Sequence, residues 1–404
     1  MTQITVVKRS GQREPLTIEK WQAQVAKVCQ GIADVSQSMI EIKAQLHFYD
    51  GITTEEIDGI TLRAIVDLID VEQNPDVGHT NYQYVAGKQR LSMLRKDVYG
   101  DYTPPHLLDI VKKNISVGLY TPELLEWYTE DDWNRMNDML DHEKDEQYSY
   151  AAIEQLIEKY LVRNRATKEI YETPQVRYMV AAATVFHKEE PNSARMRYIK
   201  EYYTAASDGL FTLATPVLAG LGTPTKQFSS CVLIRSDDDL DSIFASGEMM
   251  AKYASKRAGI GFEIGRIRPL GAPIRNGEIK HTGLIPFLKK WFADLRSCSQ
   301  GGIRNASCTV TLPVWHYQFE DFIVLKNNQG TEETRVRQMD YSVVVSSMFW
   351  RRFKNGENIT LFDPHDVPDL YEAYYRDSKE FERLYVEYEQ KKGLKKKTLP
   401  AEEI

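Results

Sequence analysis

Four short apolar runs in the second half of the chain limit its possible folds more than any other feature. The runs lie at 228–234, 260–267, 308–312 and 342–346, and several are rich in β-branched residues. Helical or glycine-bearing segments separate them, which is typical of strands joined through helices in an α/β sheet. The pattern predicts an α/β domain over 216–390, followed by a lysine-rich tail over 391–404.

The first 215 residues have a different pattern. A β-branched run at 4–9 ends at Ser10 and Gly11, which predicts a short hairpin at the start of the chain. Thr53 and Glu56 have the spacing of a capping box and precede apolar residues at helical period. Residues 1–95 therefore predict a small α+β domain, and the helical, rather polar pattern over 96–215 predicts a helical domain. A length of 404 residues fits two or three domains.

Composition excludes several classes of protein. The net charge is −7, so a general role in coating nucleic acid is not expected. No stretch approaches the roughly 20 apolar residues of a membrane span, and the first residues lack the apolar run of a signal peptide. Four cysteines without a CxxC pair are too few for a disulfide scaffold. We therefore expect a soluble, cytoplasmic protein in which any disulfide is catalytic or transient.

Cys231 lies inside the first of the four apolar runs. A cysteine in such a place is usually a small buried hydrophobic residue. The functional alternative is a redox thiol, which needs a second cysteine close in space. Cys298 and Cys308 are candidates for that second cysteine, and the sequence leaves both interpretations open.

The N-terminal hairpin is a candidate phosphate site, because Lys8 and Arg9 precede Gly11, and Lys20 lies in the helix that follows. Lysine and arginine beside a glycine turn can hold a triphosphate. A basic hairpin is also typical of a solvated sheet edge, where charges block unwanted strand pairing. Taken alone, the pattern favours the solvated edge.

Two further segments allow more than one interpretation. The acidic run at 237–241 can bind Mg²⁺ or begin a helix, and helix start is the favoured interpretation. The loop at 297–305 can read a base edge and a phosphate or be a plain connector. The glycines at 259, 261 and 265 do not match GxGxxG and follow a helical stretch, so a dinucleotide-binding site is not expected. The motifs of hydrolases and zinc sites are absent from the sequence.

Several of these segments occur together in the order of a known family. The segments are VKR at 7–9, YSYAA at 148–152, QFSSCVLI at 227–234, RAGIG at 257–261, GRIR at 265–268, SCSQGG at 297–302, KNNQG at 326–330 and MDY at 339–341. Together they resemble the large (α) subunit of class I ribonucleoside-diphosphate reductase. The resemblance weakens over 391–404, which suggests a replacement ending.

The resemblance implies a mixed α/β fold: an ATP-cone, a helical domain and the first half of a ten-stranded α/β barrel. It also implies an activity, the reduction of ribonucleoside diphosphates to 2′-deoxyribonucleoside diphosphates by thiyl-radical chemistry. Cys231 matches one of the reducing cysteines of the family. Thr215, Ser230 and Gly259 match positions that contact or approach the substrate.

Two effector sites are also implied by the resemblance, for ATP and deoxynucleoside triphosphates with bound Mg²⁺; no metal is expected in this chain itself. The specificity site matches Asp238, Leu240, Arg268, Ile274, Gln300 and Arg304. The ATP-cone site matches Lys8, Arg9, Glu14, Lys20, Thr54 and Lys96. Asp58 stands where the family pattern leads us to expect histidine, and an acid repels a triphosphate, so weak or absent inhibition by dATP is predicted.

The remaining machinery of the family has no counterpart in these 404 residues. The resemblance therefore implies a split subunit, of a kind that a phage gene interrupted by a mobile element would produce. The partners would be the C-terminal half of the large subunit, a di-iron-type radical-generating small (beta) subunit and a thioredoxin- or glutaredoxin-like reductant. The alternative is a non-catalytic nucleotide-binding or interaction module, for which the catalytic thiol would be unnecessary.

Overall fold

The computed structural model describes residues 4–256, 258–298 and 307–404, and the chain divides after residue 228 into two compact units. The strands are β1 (Thr5–Val7), β2 (Arg13–Pro15), β3 (Ile52–Thr53), β4 (Cys231–Arg235), β5 (Gly259–Glu263), β6 (Pro273–Ile274), β7 (Ile279–Lys280), β8 (Cys308–Pro313), β9 (Asp340–Val344), β10 (Asn358–Phe362) and β11 (Lys396–Pro400). The helices are α1 (Ile18–Cys29), α2 (Gln37–Gln45), α3 (Thr54–Asp67), α4 (Tyr82–Tyr99), α5 (Leu107–Ser116), α6 (Glu123–Trp127), α7 (Glu130–Met139), α8 (Tyr150–Lys159), α9 (Pro174–Phe186), α10 (Asn192–Ser207), α11 (Thr215–Gly220), α12 (Leu240–Ser255), α13 (Leu284–Ser297), α14 (Phe319–Ile323), α15 (Ser347–Lys354), α16 (Pro368–Arg376) and α17 (Ser378–Gln390).

The first unit begins with the predicted hairpin. Strands β1 and β2 pair antiparallel, and β3 joins β1 in parallel to complete the order β2-β1-β3. The predicted capping box begins α3, because the Thr53 hydroxyl accepts from the Glu56 amide at 3.1 Å and the Glu56 carboxylate accepts from the Thr53 amide at 2.9 Å. Helices α1, α3 and α4 bury their apolar faces against this sheet, which makes the expected α+β domain.

The rest of the first unit is helical, as the pattern predicts. Its core surrounds α9, in which Met179, Val180 and Ala183 are fully buried. A helix buried on most of its surface has no polar stripe, and it can form only because neighbouring helices cover it. The other contributors to this core lie on α5, α6, α7 and α10 and, for Tyr120, Tyr128 and Val162, in the segments that connect the helices.

The second unit contains the predicted parallel sheet, in the strand order β4-β5-β8-β9. Each of the four apolar runs supplies one strand, with bounds shifted by a few residues. The second run ends as a strand at Glu263, because the chain then turns and the Ile267 amide donates to the Ile264 carbonyl. Helices α12 and α13 cover one face of the sheet, where Ile234, Phe262 and Val310 are buried.

Among the described residues, the opposite face of the sheet is exposed along β4, although α16 covers its far end at Glu263. Leu233 points to that face and is 88% exposed. Among the described residues, β4 and β9 are the two edges of the sheet, which does not close into a barrel. The next candidate strand, β10, pairs antiparallel with β11 instead of joining the sheet. The structure thus has the open form expected of a partial barrel.

Residues 391–404 differ from the expected lysine-rich tail. Their central part is β11, which pairs with β10 from Asn358 opposite Pro400 to Phe362 opposite Lys396. Leu399 and Ala401 are buried in the cluster around Ile359. The apolar side chains between and after the lysines therefore anchor this segment to the second unit.

Candidate functional site

Cys231 and Gly259 are direct neighbours on strands β4 and β5. The register pairs Cys231 with Gly259, and the Gly259 amide donates to the Ser230 carbonyl at 2.8 Å. A Cβ atom at Gly259 would lie 3.9 Å from the Cys231 sulfur, so the glycine leaves the space beside the thiol open. Since strand side chains alternate, Cys231 shares the uncovered face with Leu233. Its thiol is exposed, and the interpretation of Cys231 as a buried hydrophobic residue is wrong.

The other cysteines have different environments. Cys308 pairs with Ile260 in the sheet register and is buried among the residues under α12 and α13, on the face opposite Cys231. Burial raises the pKa of the Cys308 thiol to about 12 and that of the Cys29 thiol to about 11. Neither group ionises readily near neutral pH, and Cys308 is not placed to form a disulfide with Cys231.

Thr215 lies in the first unit, as the first residue of α11. The turn after this helix is fastened to the helical core, because Arg177 donates to the Leu221 carbonyl at 2.5 Å and the Thr121 amide donates to the Gly222 carbonyl at 2.9 Å. Gly222 has a φ of +72°, and a Cβ atom there would lie 2.6 Å from Val180. Only glycine lets the backbone approach α9 so closely.

The specificity-site candidates in the second unit are brought together by Arg268. Its backbone amide donates to Asp238 at 3.0 Å and its guanidinium donates to the same carboxylate at 2.5 Å. The guanidinium also donates to the Pro273 carbonyl at 2.6 Å, next to Ile274. Leu240 is 63% exposed at the start of α12, two residues beyond Asp238. Through these contacts, Arg268 is held by protein groups beside the N-terminus of α12.

The acidic run contributes to the start of α12, as expected. Asp239 is the N-cap residue, and its side chain accepts from the Ser242 amide at 2.8 Å. The favoured interpretation of the run as a helix start is confirmed at this residue. Gln300 and Arg304, the remaining specificity-site candidates, lie outside the described residues.

Three of the ATP-cone candidates, Lys8, Arg9 and Lys96, are cations paired with carboxylates. Lys8 lies 2.8 Å from Glu14, and Arg9 lies 2.8 Å from Asp97 on α4. The hydrogen bond from Lys8 lowers the pKa of Glu14. A bound triphosphate would compete with these carboxylates for the same cations.

Lys96 is paired with the unusual Asp58, at 3.3 Å, and both side chains are largely buried. Burial raises the pKa of Asp58, and the charge of Lys96 opposes that rise. Thr54 is the first residue of α3, directly after the capping box. Lys20 lies near enough to Glu14 to lower its pKa further.

A polar cluster at the carboxyl ends of β4 and β5 was missed by the sequence analysis. Glu263 accepts a hydrogen bond from the Tyr371 hydroxyl and lies 3.7 Å from the Arg235 guanidinium. Burial raises the pKa of Glu263, and the hydrogen bond from Tyr371 opposes that rise. The alternation of strand residues from Gly259 places Glu263 on the face of Cys231, so this signal was present in the sequence.

Metal-binding clusters and membrane-spanning helices are both absent from the described ranges. No group of three or more histidine, cysteine or acidic side chains in them is arranged to hold a metal ion. No helix within these ranges is both long and apolar enough to cross a membrane.

Fold and site together define a class: an open α/β-barrel domain with an exposed strand thiol, preceded by helices and by a small cation-bearing α+β domain. Three family models match successive parts of the chain, as the ATP cone domain over 4–97, the all-alpha domain of ribonucleotide reductase over 146–226 and its barrel domain over 229–404. The chain belongs to the ribonucleotide reductase large-subunit family. The expected fold class, with an ATP-cone, a helical domain and a partial barrel, is confirmed.

Curated relatives support the same assignment. The ribonucleoside-diphosphate reductase subunit alpha of Haemophilus influenzae is 45% identical over 99% of this chain and 52% of its own length. Subunit alpha of ribonucleoside-diphosphate reductase 1 of Escherichia coli has the same identity and coverage. Ribonucleoside-diphosphate reductase subunit alpha of Enterobacteria phage T4 is 39% identical over 100% of this chain and 52% of its own length. The chain spans about half the length of these relatives. The divergence expected over 391–404 is wrong, because the barrel-domain match continues to residue 404.

Proposed function

We propose that this chain is part of a cytoplasmic enzyme that reduces ribonucleoside diphosphates to 2′-deoxyribonucleoside diphosphates. The observation that carries the proposal is the exposed thiol of Cys231 beside Gly259 on the uncovered face of the sheet. The open space over Gly259 lets a ribose approach the sulfur, and Ser230 is the proposed polar contact of the substrate beside it. The names of the relatives support this choice of reaction.

The proposed reaction uses Cys231 as one of two reducing thiols. The substrate loses its 2′-hydroxyl as water and gains a hydrogen at the same carbon. The two thiols supply two electrons and two protons and become a disulfide, which a thioredoxin- or glutaredoxin-like protein reduces again. A third cysteine, as a thiyl radical, takes the 3′-hydrogen and later returns it, so it is not consumed. Holding two thiols beside one ribose makes the reduction effectively intramolecular.

We assign the second reducing cysteine and the radical cysteine to a separate polypeptide, the C-terminal half of the large subunit. The support for such a partner is the uncovered sheet face, on which Leu233 is 88% exposed. A parallel sheet is normally covered on both faces. A di-iron-type small (beta) subunit would supply the radical. The chain alone would then be inactive.

Co-purification tests this assignment. A tagged chain recovered from its native cells should bring with it the C-terminal half and the small subunit, and the recovered assembly should reduce ribonucleoside diphosphates. Leu233→Glu should lose the C-terminal half, because a charge would be buried against the partner. Leu210→Glu is the matched control, since Leu210 is 77% exposed in the other unit and should change nothing. A wild-type chain that binds nucleotides but recovers neither partner would favour the non-catalytic module instead.

The effector sites are the second part of the proposal. ATP and deoxynucleoside triphosphates, as Mg²⁺ complexes, would bind at Arg268 with Asp238 and, separately, in the ATP-cone at Lys8, Arg9 and Lys96. At each of the two sites, the cation that is paired with a carboxylate in the structure would instead bind a phosphate or the base of the nucleotide. A triphosphate carries more negative charge than a single carboxylate and offers more oxygens for charge-assisted bonds, which favours this exchange.

Inhibition by dATP should be weak in the wild-type assembly and should increase when Asp58 is replaced. Asp58 neutralises Lys96 and would repel a triphosphate placed against it. Asp58→His should lower the dATP concentration needed for half-inhibition by about tenfold or more. The measurement is turnover of the assembled enzyme against dATP concentration, with Asp67→His as the control on the far end of the same helix. Strong inhibition of the wild type at cellular dATP concentrations would refute the prediction.

A further inference from the structure

The effector segment, which we define as residues 263–274, carries Arg268 and Ile274. Its first residue, Glu263, accepts from the Gly265 amide at 2.7 Å and from the Tyr371 hydroxyl on α16. The start of the effector segment is therefore attached to α16, a helix more than one hundred residues later in the chain.

Arg266 makes the second attachment of the effector segment. One nitrogen of its guanidinium lies 3.0 Å from Asp237, which precedes α12, and another is paired with Glu372 on α16. The guanidinium also stacks 4.7 Å from the centre of the Tyr371 ring. The segment is thus tied both to the start of α12 and to α16.

Lys395, just before β11, makes the third attachment. Its ammonium donates to the Leu270 carbonyl at 2.5 Å, and the Leu270 amide donates to the Gln318 side chain at 2.9 Å. The carbonyl and the amide of Leu270 are therefore both held by side chains from outside the effector segment. The Lys395 ammonium also lies 4.7 Å from the centre of the Tyr317 ring, which further limits its movement.

The backbone of Lys395 is itself fixed. Its amide donates to the Asp366 carboxylate at 2.9 Å, and its carbonyl accepts from the Asp363 amide at 3.1 Å. Strand β11 then begins at the next residue and pairs with β10. A fixed backbone removes the backbone part of the conformational-entropy cost of this contact, so only the lysine side chain remains to be ordered.

We propose that Lys395 is a positioning residue for effector binding: it holds Leu270 so that Arg268 is presented to a nucleotide at the proposed specificity site. The inference rests on the proposed function of that site. Without Lys395, the segment would occupy its binding-competent conformation for a smaller fraction of the time. The apparent affinity falls by that fraction, which gives an expected loss of about five- to tenfold.

The test is binding of dTTP with Mg²⁺ to the full chain, measured by equilibrium dialysis. Lys395→Met should raise the Kd for dTTP by about five- to tenfold. Lys395→Arg keeps a donor to the Leu270 carbonyl and should stay close to wild type. Lys397→Met is the matched control, because Lys397 lies two residues later, on β11, and pairs with Glu320 on α14 instead of with the Leu270 carbonyl.

Hydrogen exchange of the same variants gives a readout that does not depend on nucleotide. The Gly271 amide, which donates to the His281 carbonyl at 2.8 Å, should exchange faster in Lys395→Met and unchanged in Lys397→Met. A Kd in Lys395→Met equal to that of the wild type would overturn the proposal, whatever the exchange shows. A wild-type chain that binds no dTTP would instead refute the proposed specificity site itself, so the two failures can be told apart.

Discussion

Replacing Cys231 with serine should abolish turnover in the reconstituted assembly with a thioredoxin-like reductant. Serine cannot form a disulfide, so the two electrons for the 2′-carbon would no longer be available. We expect the rate of deoxyribonucleoside diphosphate formation to fall by at least about 10³-fold, since positioned intramolecular groups contribute factors of this size or larger. Folding should be unaffected, because the Cys231 side chain is exposed.

Cys29→Ser is the control for this experiment. Cys29 lies in the ATP-cone domain, where burial raises its pKa to about 11, and it has no place in the proposed chemistry. Its variant should turn over at the wild-type rate. Near-wild-type turnover of Cys231→Ser with the protein reductant would show that another thiol supplies the electrons.

Replacing Arg177 with methionine should lower the free energy of unfolding of the first unit by about 3 to 5 kcal/mol. The side chains of Arg177 and Glu172 are 1% and 0% exposed, and their charged atoms lie 3.4 Å apart. Methionine would leave the Glu172 carboxylate buried with only neutral donors, the Tyr120 hydroxyl and the Val162 amide. Urea denaturation followed by circular dichroism measures the loss.

The control for the Arg177 experiment is Arg135→Met. Arg135 forms an exposed pair with Asp131 one helical turn away, and exposed pairs contribute little to stability. The double variant Glu172→Gln with Arg177→Met should recover part of the lost stability, because no charge is then left unpaired. Equal destabilisation by Arg135→Met and Arg177→Met would contradict the assignment of a buried pair.

Predictions based on neighbouring residues were the most successful. The hairpin, the capping box of Thr53 and Glu56, and the four strands of the parallel sheet all form where short-range patterns place them. Their bounds moved by a few residues because hydrogen bonds between strands, which the pattern does not contain, decide where a strand ends.

The candidate site was predictable in part. Order and identity of the motifs indicated the family, and strand alternation is enough to place Gly259 and Glu263 on one face of β5. The exposure of Cys231 was not predictable, because an apolar strand can be covered on one face or on both. The ordered segment at 396–400 was also missed, because its lysines resemble a solvated tail until β10 is there to pair with it.

The amino-acid sequence by itself determined the kind and order of the elements, the family and the residue types available for chemistry. Tertiary structure alone decided which face of the sheet stays open, that Arg268 is held by Asp238, and that Lys395 reaches the Leu270 carbonyl across 125 residues. The physical reason is the range of the interactions. Helix and strand periods arise between residues a few positions apart, whereas a pair of distant groups meets only after strand order and helix packing have brought two segments together.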